Sequence, residues 1–85
     1  MSSKAEIFQI IKANLLELLP DLDPSRIVPE ESMKNLGANS IDRADVIIQT
    51  MEALALKFPL HELGKLKNIQ GLVDEFYARS MNKAP

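Results

Sequence analysis

Three stretches of this chain repeat apolar residues every three or four positions, and no stretch alternates apolar and polar residues as a half-buried strand does. A repeat of this kind places the apolar side chains on one side of an α-helix. The stretches run from about Ser3 to Leu19, from about Ser40 to Ala55, and from Asn68 onward. The pattern therefore predicts an all-α fold.

The size of the chain and its lack of cysteine restrict how such helices are stabilised. Eighty-five residues suffice for one hydrophobic core, so we expect a single domain over residues 1–85. Without cysteine, disulfides and thiolate metal sites are excluded, and well-packed helices must supply the stability. We expect a small four-helix bundle of three main helices and one short helix over His61–Gly64, with a long loop between the first two.

Each predicted helix has residues that are expected to face the core. They are Ile7, Ile10, Ile11, Leu15, Leu18 and Leu19 in the first helix, Ala44, Ile47, Ile48, Met51, Leu54 and Ala55 in the second, and Ile69, Leu72, Val73, Phe76 and Tyr77 in the last. Asn14 falls within the apolar stripe of the first helix, where it has no assigned role. Ser3 and Glu6 have the spacing of a capping box, and Asn68 is the expected N-cap of the last helix.

The loop between the first two helices contains several apolar residues that we expect to hold it against the core, namely Ile27, Val28, Met33 and Leu36. A single helical turn is predicted to open at Pro29 and to end at Gly37. A long loop with such contacts is typical of a functional segment.

Charge and composition exclude several classes of function. A formal net charge of −2 argues against nucleic acid as a partner. No apolar run has the length of a signal peptide or a membrane span, so we expect a cytoplasmic protein without a membrane partner. His61 is the only histidine, and the carboxylates lack metal-ligand spacing. We therefore interpret His61 as a solvated side chain and predict no catalytic residue and no metal site.

The most informative segment is Leu36-Gly37-Ala38-Asn39-Ser40-Ile41-Asp42, at the start of the second helix. Asn39 or Ser40 is expected to be the N-cap, where outward-pointing amides and the helix dipole favour negative charge. A phosphate ester on Ser40 would be stabilised in this position. The alternative interpretation is an ordinary helix cap with no further role.

An acidic stripe on the second helix begins one turn from Ser40. Ile41 and Val46 fall outside or at the margin of the predicted core-facing arc, so exposed apolar surface is expected next to the acidic side chains. Acidic groups flanked by aliphatic ones are typical of a docking surface. We predict that this surface consists of Ile41, Asp42, Asp45, Val46 and Glu52.

Taken together, these residues resemble the acyl carrier proteins. The resemblance covers nearly the whole chain, and it includes the helix order, the Leu36-Gly37-x-x-Ser40 signature and the Phe58-Pro59 step. It implies that a phosphopantetheinyl transferase attaches 4′-phosphopantetheine to Ser40 and that the protein is a carrier and not an enzyme; we expect a monomer. Three differences from the family pattern stand out. Asn39-Ser40-Ile41 replaces the common Asp-Ser-Leu, and Arg43 interrupts the usual acidic start of the helix. The third helix, normally acidic in the family, is replaced by His61-Glu62-Leu63-Gly64-Lys65-Leu66-Lys67.

The block Gly37–Asp45 is similar to donor carriers of polyketide β-branching cassettes, which are built around a 3-hydroxy-3-methylglutaryl synthase-like enzyme. This similarity implies an acetyl group, made by decarboxylation of a malonyl group, that is carried to that synthase. It also implies an acyltransferase and a ketosynthase-like decarboxylase as partners. Two alternatives stay open: a carrier for another fatty-acid or polyketide pathway, and a helical adaptor without a prosthetic group. A helix-turn-helix DNA-binding protein is disfavoured because Arg and Lys do not cluster on one helical face.

Overall fold

A computed structural model describes residues 3–57 and 68–81 of the chain. Within these ranges the chain forms α1 (Lys4–Leu18), a 3₁₀ helix (Pro24–Arg26), α2 (Ser40–Leu54) and α3 (Ile69–Met81), and no strand. Helix α1 packs against both α2 and α3. The prediction of an all-α bundle is confirmed, and the short helix predicted over His61–Gly64 lies outside the described residues.

The starts of α1 and α3 follow from local capping. Ser3 Oγ accepts a hydrogen bond from the Glu6 amide at 3.1 Å, and Glu6 Oε1 accepts one from the Ser3 amide at 3.1 Å. The predicted capping box is therefore confirmed. Asn68 Oδ1 accepts from the Gly71 amide at 2.8 Å, as expected of the N-cap of α3.

The loop between α1 and α2 supplies further caps for α3. The Ile69 amide donates to the Glu31 carbonyl at 2.9 Å, and the Gln70 amide donates to the Pro29 carbonyl at 2.8 Å. The first amides of α3, which have no partner inside their own helix, are thus paired with loop carbonyls. Because Pro29 and Glu31 contact α3 in this way, the loop and the last helix are held together.

The single helical turn predicted over residues 29–37 is instead two separate turns. In the first, the Glu31 amide donates to the Val28 carbonyl at 3.0 Å; the second starts at Ser32, whose carbonyl accepts from the Leu36 amide at 3.2 Å, and ends at Gly37. Between the two turns, the Glu31 carbonyl caps α3 instead of continuing a helix. Val28, predicted as a core contact, is 39% exposed, so that part of the prediction is wrong.

The core draws on all three helices and on the long loop. Its buried apolar residues are Ile7, Ile11 and Leu15 from α1, Ile27, Met33, Leu36 and Ala38 from the loop, Val46, Met51 and Leu56 from α2 and its end, and Ile69, Leu72, Val73 and Phe76 from α3. The loop is therefore part of the packed structure. Its position fixes the point at which α2 begins.

The buried face of α2 differs from the face that the sequence predicts. Val46 is fully buried, whereas Ile48 is 38% exposed and Ala55 is exposed. Thr50 is also fully buried and accepts a hydrogen bond from Asn14, so the buried side of α2 runs through Val46, Thr50 and Met51. The predicted face leaves out Val46 and Thr50, so the buried face is rotated from the predicted one, although Met51 belongs to both. The expectation that Val46 belongs to a docking surface is wrong for the same reason.

Candidate functional site

The segment that leads into α2 is fixed by burial and by hydrogen bonds. Leu36 and Ala38 are buried on either side of the exposed Gly37. The Ala38 amide donates to the Met33 carbonyl at 3.0 Å, and the Gly37 amide donates to the Lys34 carbonyl at 3.1 Å. Gly37 has φ of +103°, a conformation that L-residues rarely adopt. The glycine thus turns the chain sharply between two buried side chains, just before α2.

The cap of α2 is made by Asn39, which leaves Ser40 at the first helical position. Asn39 Oδ1 accepts from the Asp42 amide at 2.8 Å, and Asp42 Oδ2 accepts from the Asn39 amide at 3.3 Å. This pair is a capping box in which Asn and Asp stand in the places usual for Ser and Glu. The sequence left the choice between Asn39 and Ser40 open, although the Asn-x-x-Asp spacing was already a signal for Asn39.

Ser40 is exposed, and its hydroxyl makes no hydrogen bond to any residue in 3–57 or 68–81. The amides of Ser40 and Ile41 precede the first intrahelical bond, which runs from the Arg43 amide to the Asn39 carbonyl at 2.9 Å. Because Asn39 does the capping, the Ser40 hydroxyl is available for chemistry. The helix terminus beside it favours an anion.

These surroundings fit a phosphodiester on Ser40. A Cβ built on Gly37 would meet no atom of residues 3–57 or 68–81 within 4 Å, so these residues leave the space next to the segment open. Ser40 itself lies on a rigid element, because the capping box and the buried Leu36 and Ala38 hold the helix start. The donors, the open approach and the exposed hydroxyl are what a phosphate ester requires at this position.

Arg43 also contributes to the start of α2. Its Nη1 donates to the Ala38 carbonyl at 3.1 Å, and its side chain is half-buried. The guanidinium therefore lies toward the N-terminal end of the helix. The sequence marked Arg43 as unusual in this position but gave no partner for it.

One exposed face of α2 carries apolar and acidic residues in alternation. Positions 41, 45, 48 and 52 share this face, since they are three or four residues apart; we call Ile41, Asp45, Ile48 and Glu52 the α2 stripe. Ile41 is 72% exposed, Ile48 is 38% exposed, and the two acidic residues are exposed. The stripe begins at the residue after Ser40 and runs along most of the helix.

The stripe retains three of the five predicted docking residues and adds Ile48, which the sequence pattern had placed in the core. Val46 is excluded because it is fully buried. Asp42 is half-buried, and its carboxylate accepts the Asn39 amide, so its role as a docking contact remains a prediction beside its role in the cap.

Metal-binding clusters and membrane-spanning helices are both absent from the part of the chain that the structure describes. Residues 3–57 and 68–81 contain no group of three or more His, Cys, Asp or Glu side chains placed to hold a metal ion. Among the same residues, none of the helices combines the length and the apolar character that crossing a bilayer needs. His61 lies outside the described residues.

Comparison with known proteins identifies the family. Residues 9–76 match the family described as phosphopantetheine attachment site. The chain is 43% identical over 74 residues to the polyketide biosynthesis acyl-carrier-protein AcpK of Bacillus subtilis (strain 168), covering 87% of this chain and 90% of the relative. It is 33% identical over 73 residues to the acyl carrier protein of Thermosynechococcus vestitus (strain NIES-2133 / IAM M-273 / BP-1), covering 85% and 89%.

A solved structure is similar to this chain in fold and in sequence. It is the crystal structure of the curacin biosynthetic pathway HMG synthase in complex with acetyl donor-ACP. One of its chains matches with a TM-score of 0.77 and 39% identity, over 91% of this chain and 97% of that chain. From the match over residues 9–76 and these likenesses, the chain belongs to the phosphopantetheine-binding acyl carrier protein family, whose members are carriers and not catalysts and bear a 4′-phosphopantetheine group.

Proposed function

We propose that the chain carries an acetyl group, derived from malonyl, as a thioester on a phosphopantetheine arm at Ser40. The observation that carries this proposal is the placement of Ser40: an exposed hydroxyl at the first position of α2, beside free amides and outside the capping box. The arm supplies a terminal thiol, which the chain lacks because it has no cysteine.

Attachment of the arm to Ser40 is a phosphoryl-group transfer from coenzyme A. The Ser40 Oγ forms a bond to the phosphorus that bears the pantetheine portion of coenzyme A. The bond from that phosphorus to the bridging oxygen breaks, and adenosine 3′,5′-bisphosphate leaves. The hydroxyl proton passes to a base of the phosphopantetheinyl transferase. This chain contributes a positioned hydroxyl and a helix end that favours the anionic product.

We further propose that the recipient is a 3-hydroxy-3-methylglutaryl synthase-like enzyme of a polyketide pathway. The likeness to an acetyl donor-ACP seen with an HMG synthase supports this choice, and so does the likeness to the polyketide carrier AcpK. An acyltransferase and a ketosynthase-like decarboxylase would load and decarboxylate the malonyl group. The likeness to a general acyl carrier protein supports the alternative, a carrier for another fatty-acid or polyketide pathway.

The α2 stripe is the surface on which such partners would dock. It lies directly after Ser40, so an enzyme bound there is close to the base of the arm. Ile41 and Ile48 offer apolar contacts, and Asp45 and Glu52 offer charge. Charged contacts raise the rate of encounter without creating a tight complex, which suits a carrier that must be released after each transfer.

The attachment is tested by mass spectrometry. The protein is incubated with coenzyme A and a transferase of broad specificity, and we expect the intact mass to rise by one phosphopantetheine group, which fragmentation places on Ser40. Ser40→Ala should abolish the addition, whereas the matched control Ser80→Ala, on α3, should retain it. Addition to another residue, or none to the well-folded protein, would leave the adaptor interpretation.

The recipient is tested by acetyl transfer. The acetylated holo protein is mixed with a purified HMG synthase-like enzyme, and the acetyl-enzyme is measured by intact mass. Transfer much faster than from a general acyl carrier protein supports the donor role. Equal transfer from both carriers would favour the broader carrier function.

A further inference from the structure

Arg43 and Ser40 share one face of α2. They are three positions apart, which in a helix places their Cβ atoms about 5–6 Å from each other. The Arg43 side chain reaches back along the helix, and its Nη1 donates to the Ala38 carbonyl at 3.1 Å. Long helical side chains favour this direction. The guanidinium is thus held at the same end of the helix as the serine hydroxyl.

The contact with the Ala38 carbonyl uses only one nitrogen of the Arg43 guanidinium, Nη1. Arginine has five N–H donors in a planar fork, and the others make no hydrogen bond to residues 3–57 or 68–81. The nearest acid in sequence, Asp42, makes no hydrogen bond to the Arg43 guanidinium; its Oδ2 accepts the Asn39 amide in the capping box. Arg43 therefore combines a fixed position with spare donors.

We infer that Arg43 is a second binding group for the phosphodiester on Ser40, in addition to the helix N-terminus. The inference rests on the proposed attachment at Ser40. A guanidinium binds phosphate oxygens through charge-assisted hydrogen bonds, which are stronger than those between neutral groups. The Ala38 carbonyl holds the guanidinium in place, so less side-chain freedom is lost when the phosphate binds. Arg43 acts as a positioning residue that restricts the direction in which the arm leaves the helix.

A thermodynamic cycle tests this inference. Urea unfolding is measured for apo and holo forms of the natural chain and of Arg43→Gln, with each holo form verified by intact mass. We expect the holo-to-apo ratio of folding constants to be about two- to fivefold higher in the natural chain at low salt. The excess should shrink at high salt, because exposed charges are screened. Arg43→Lys, which keeps the charge and loses the fork, should retain part of it.

The cycle separates phosphate binding from a merely structural role. If Arg43 only pairs with the Ala38 carbonyl, its loss weakens apo and holo forms equally and the two ratios coincide. Lys57→Gln removes a positive charge beyond the opposite end of α2 and should leave the ratio unchanged. A second readout is the Nε–Hε resonance of Arg43, which should shift between apo and holo forms of the natural chain.

The outcomes distinguish this inference from the proposed function. If no group is added at Ser40, the proposed function fails and the inference fails with it. If the group is added but the ratios coincide and the Arg43 resonance does not move, the attachment stands and only the role of Arg43 is overturned.

Discussion

Asn14 Nδ2 donates a hydrogen bond to Thr50 Oγ1 at 3.1 Å and so joins α1 to α2 inside the bundle. The Thr50 hydroxyl in turn donates to the Val46 carbonyl one turn earlier, at 2.7 Å. Thr50 is fully buried, and among the described residues no buried side-chain nitrogen or oxygen lacks a partner. This relay allows a polar residue to occupy the centre of the packed face of α2.

The Asn14–Thr50 pair predicts a non-additive effect on stability. Thr50→Val keeps the shape of the side chain but leaves the Asn14 amide without its acceptor, and we expect a loss of about 1–3 kcal/mol in the free energy of unfolding. Replacing both partners, as Asn14→Leu with Thr50→Val, should lose less than the single change. Urea unfolding followed by circular dichroism measures the stability of the double variant and of the single variants Asn14→Leu and Thr50→Val. A double variant that loses the full sum of the single losses would contradict a specific pair.

Ile41 and Val46 predict opposite outcomes for two similar truncations on α2. Val46→Ala leaves a cavity in the core and should lower the free energy of unfolding by about 1–3 kcal/mol. Ile41→Ala removes an exposed side chain, so stability should change by no more than about 0.5 kcal/mol while transfer to a partner enzyme slows. Stability comes from urea unfolding and transfer from the acetyl-enzyme assay. Normal transfer by Ile41→Ala would remove this residue from the docking surface.

Asp45 predicts a charge effect on the rate of partner encounter. Asp45→Lys reverses the charge in the middle of the α2 stripe and should slow loading or transfer roughly tenfold at low salt, because steering by complementary charge is lost. The fold should be unchanged, since Asp45 is exposed. Glu17→Lys, an exposed reversal on α1, is the matched control. The loading or transfer rates of the two variants are measured by stopped flow at two salt concentrations. Equal slowing by Asp45→Lys and Glu17→Lys would indicate an effect of net charge and not of the α2 stripe.

We predict that a side chain at Gly37 destabilises the protein through backbone strain and not through a steric clash. Gly37→Ala should lower the free energy of unfolding by about 1–2 kcal/mol, because the left-handed conformation disfavours a Cβ even though no atom of the described residues lies within 4 Å of it. Ala55, which ends α2 with φ of 56°, offers the reverse change. Ala55→Gly should stabilise the protein by about 0.5–1 kcal/mol. Thermal unfolding of both variants checks the two signs, and a neutral Gly37→Ala would show that the turn adapts.

We predict that Glu31 contributes to the loss of protein stability at acidic pH. The hydrogen bond from the Ser32 amide, followed by that from the Asn35 side chain, lowers the pKa of Glu31 below its ordinary value of 4.5. A lowered pKa in the folded state stabilises the protein above the ordinary value, and this contribution is lost as the pH falls through the folded value. Stability should therefore decline below about pH 4.5.

Glu31→Gln isolates this contribution, because it keeps the acceptor oxygen and removes the titration. The urea midpoint should fall less steeply below pH 4.5 in this variant than in the natural chain. Glu30→Gln, at the neighbouring exposed carboxylate, should keep the natural slope. Identical slopes for all three proteins would assign the acid sensitivity to other groups, such as Asp23 and Asp74, whose pKa values are also lowered by hydrogen bonds.

The candidate site was largely visible in the sequence because its determinants are local. The Leu36-Gly37 step and the polar pair before the apolar run predicted a helix start with an exposed serine, and capping depends on residues only three positions apart. Arg43 was noticed only as an unusual residue. Its bond to the Ala38 carbonyl depends on how the loop turns at Gly37, which no helical period describes.

The exposed face of α2 needed the tertiary structure. The helical period alone placed Ile48 inward and Val46 outside or at the margin of the core-facing arc, yet Ile48 is 38% exposed and Val46 is completely buried. The pairing of the Pro29 and Glu31 carbonyls with α3 could not be predicted from the sequence either, since the bonded residues are 41 and 38 positions apart.

The amino-acid sequence by itself determined the helices, the N-caps of α1 and α3 and the serine at the start of α2, because each depends on neighbours within a turn or two. Only the tertiary structure decided which face of α2 meets the core, because that choice depends on contacts with other helices, such as the hydrogen bond from Asn14 to the buried Thr50. In the packed bundle, the side of α2 that carries Val46 and Thr50 faces the core. The opposite side, with Ile41, Asp45, Ile48 and Glu52, is exposed.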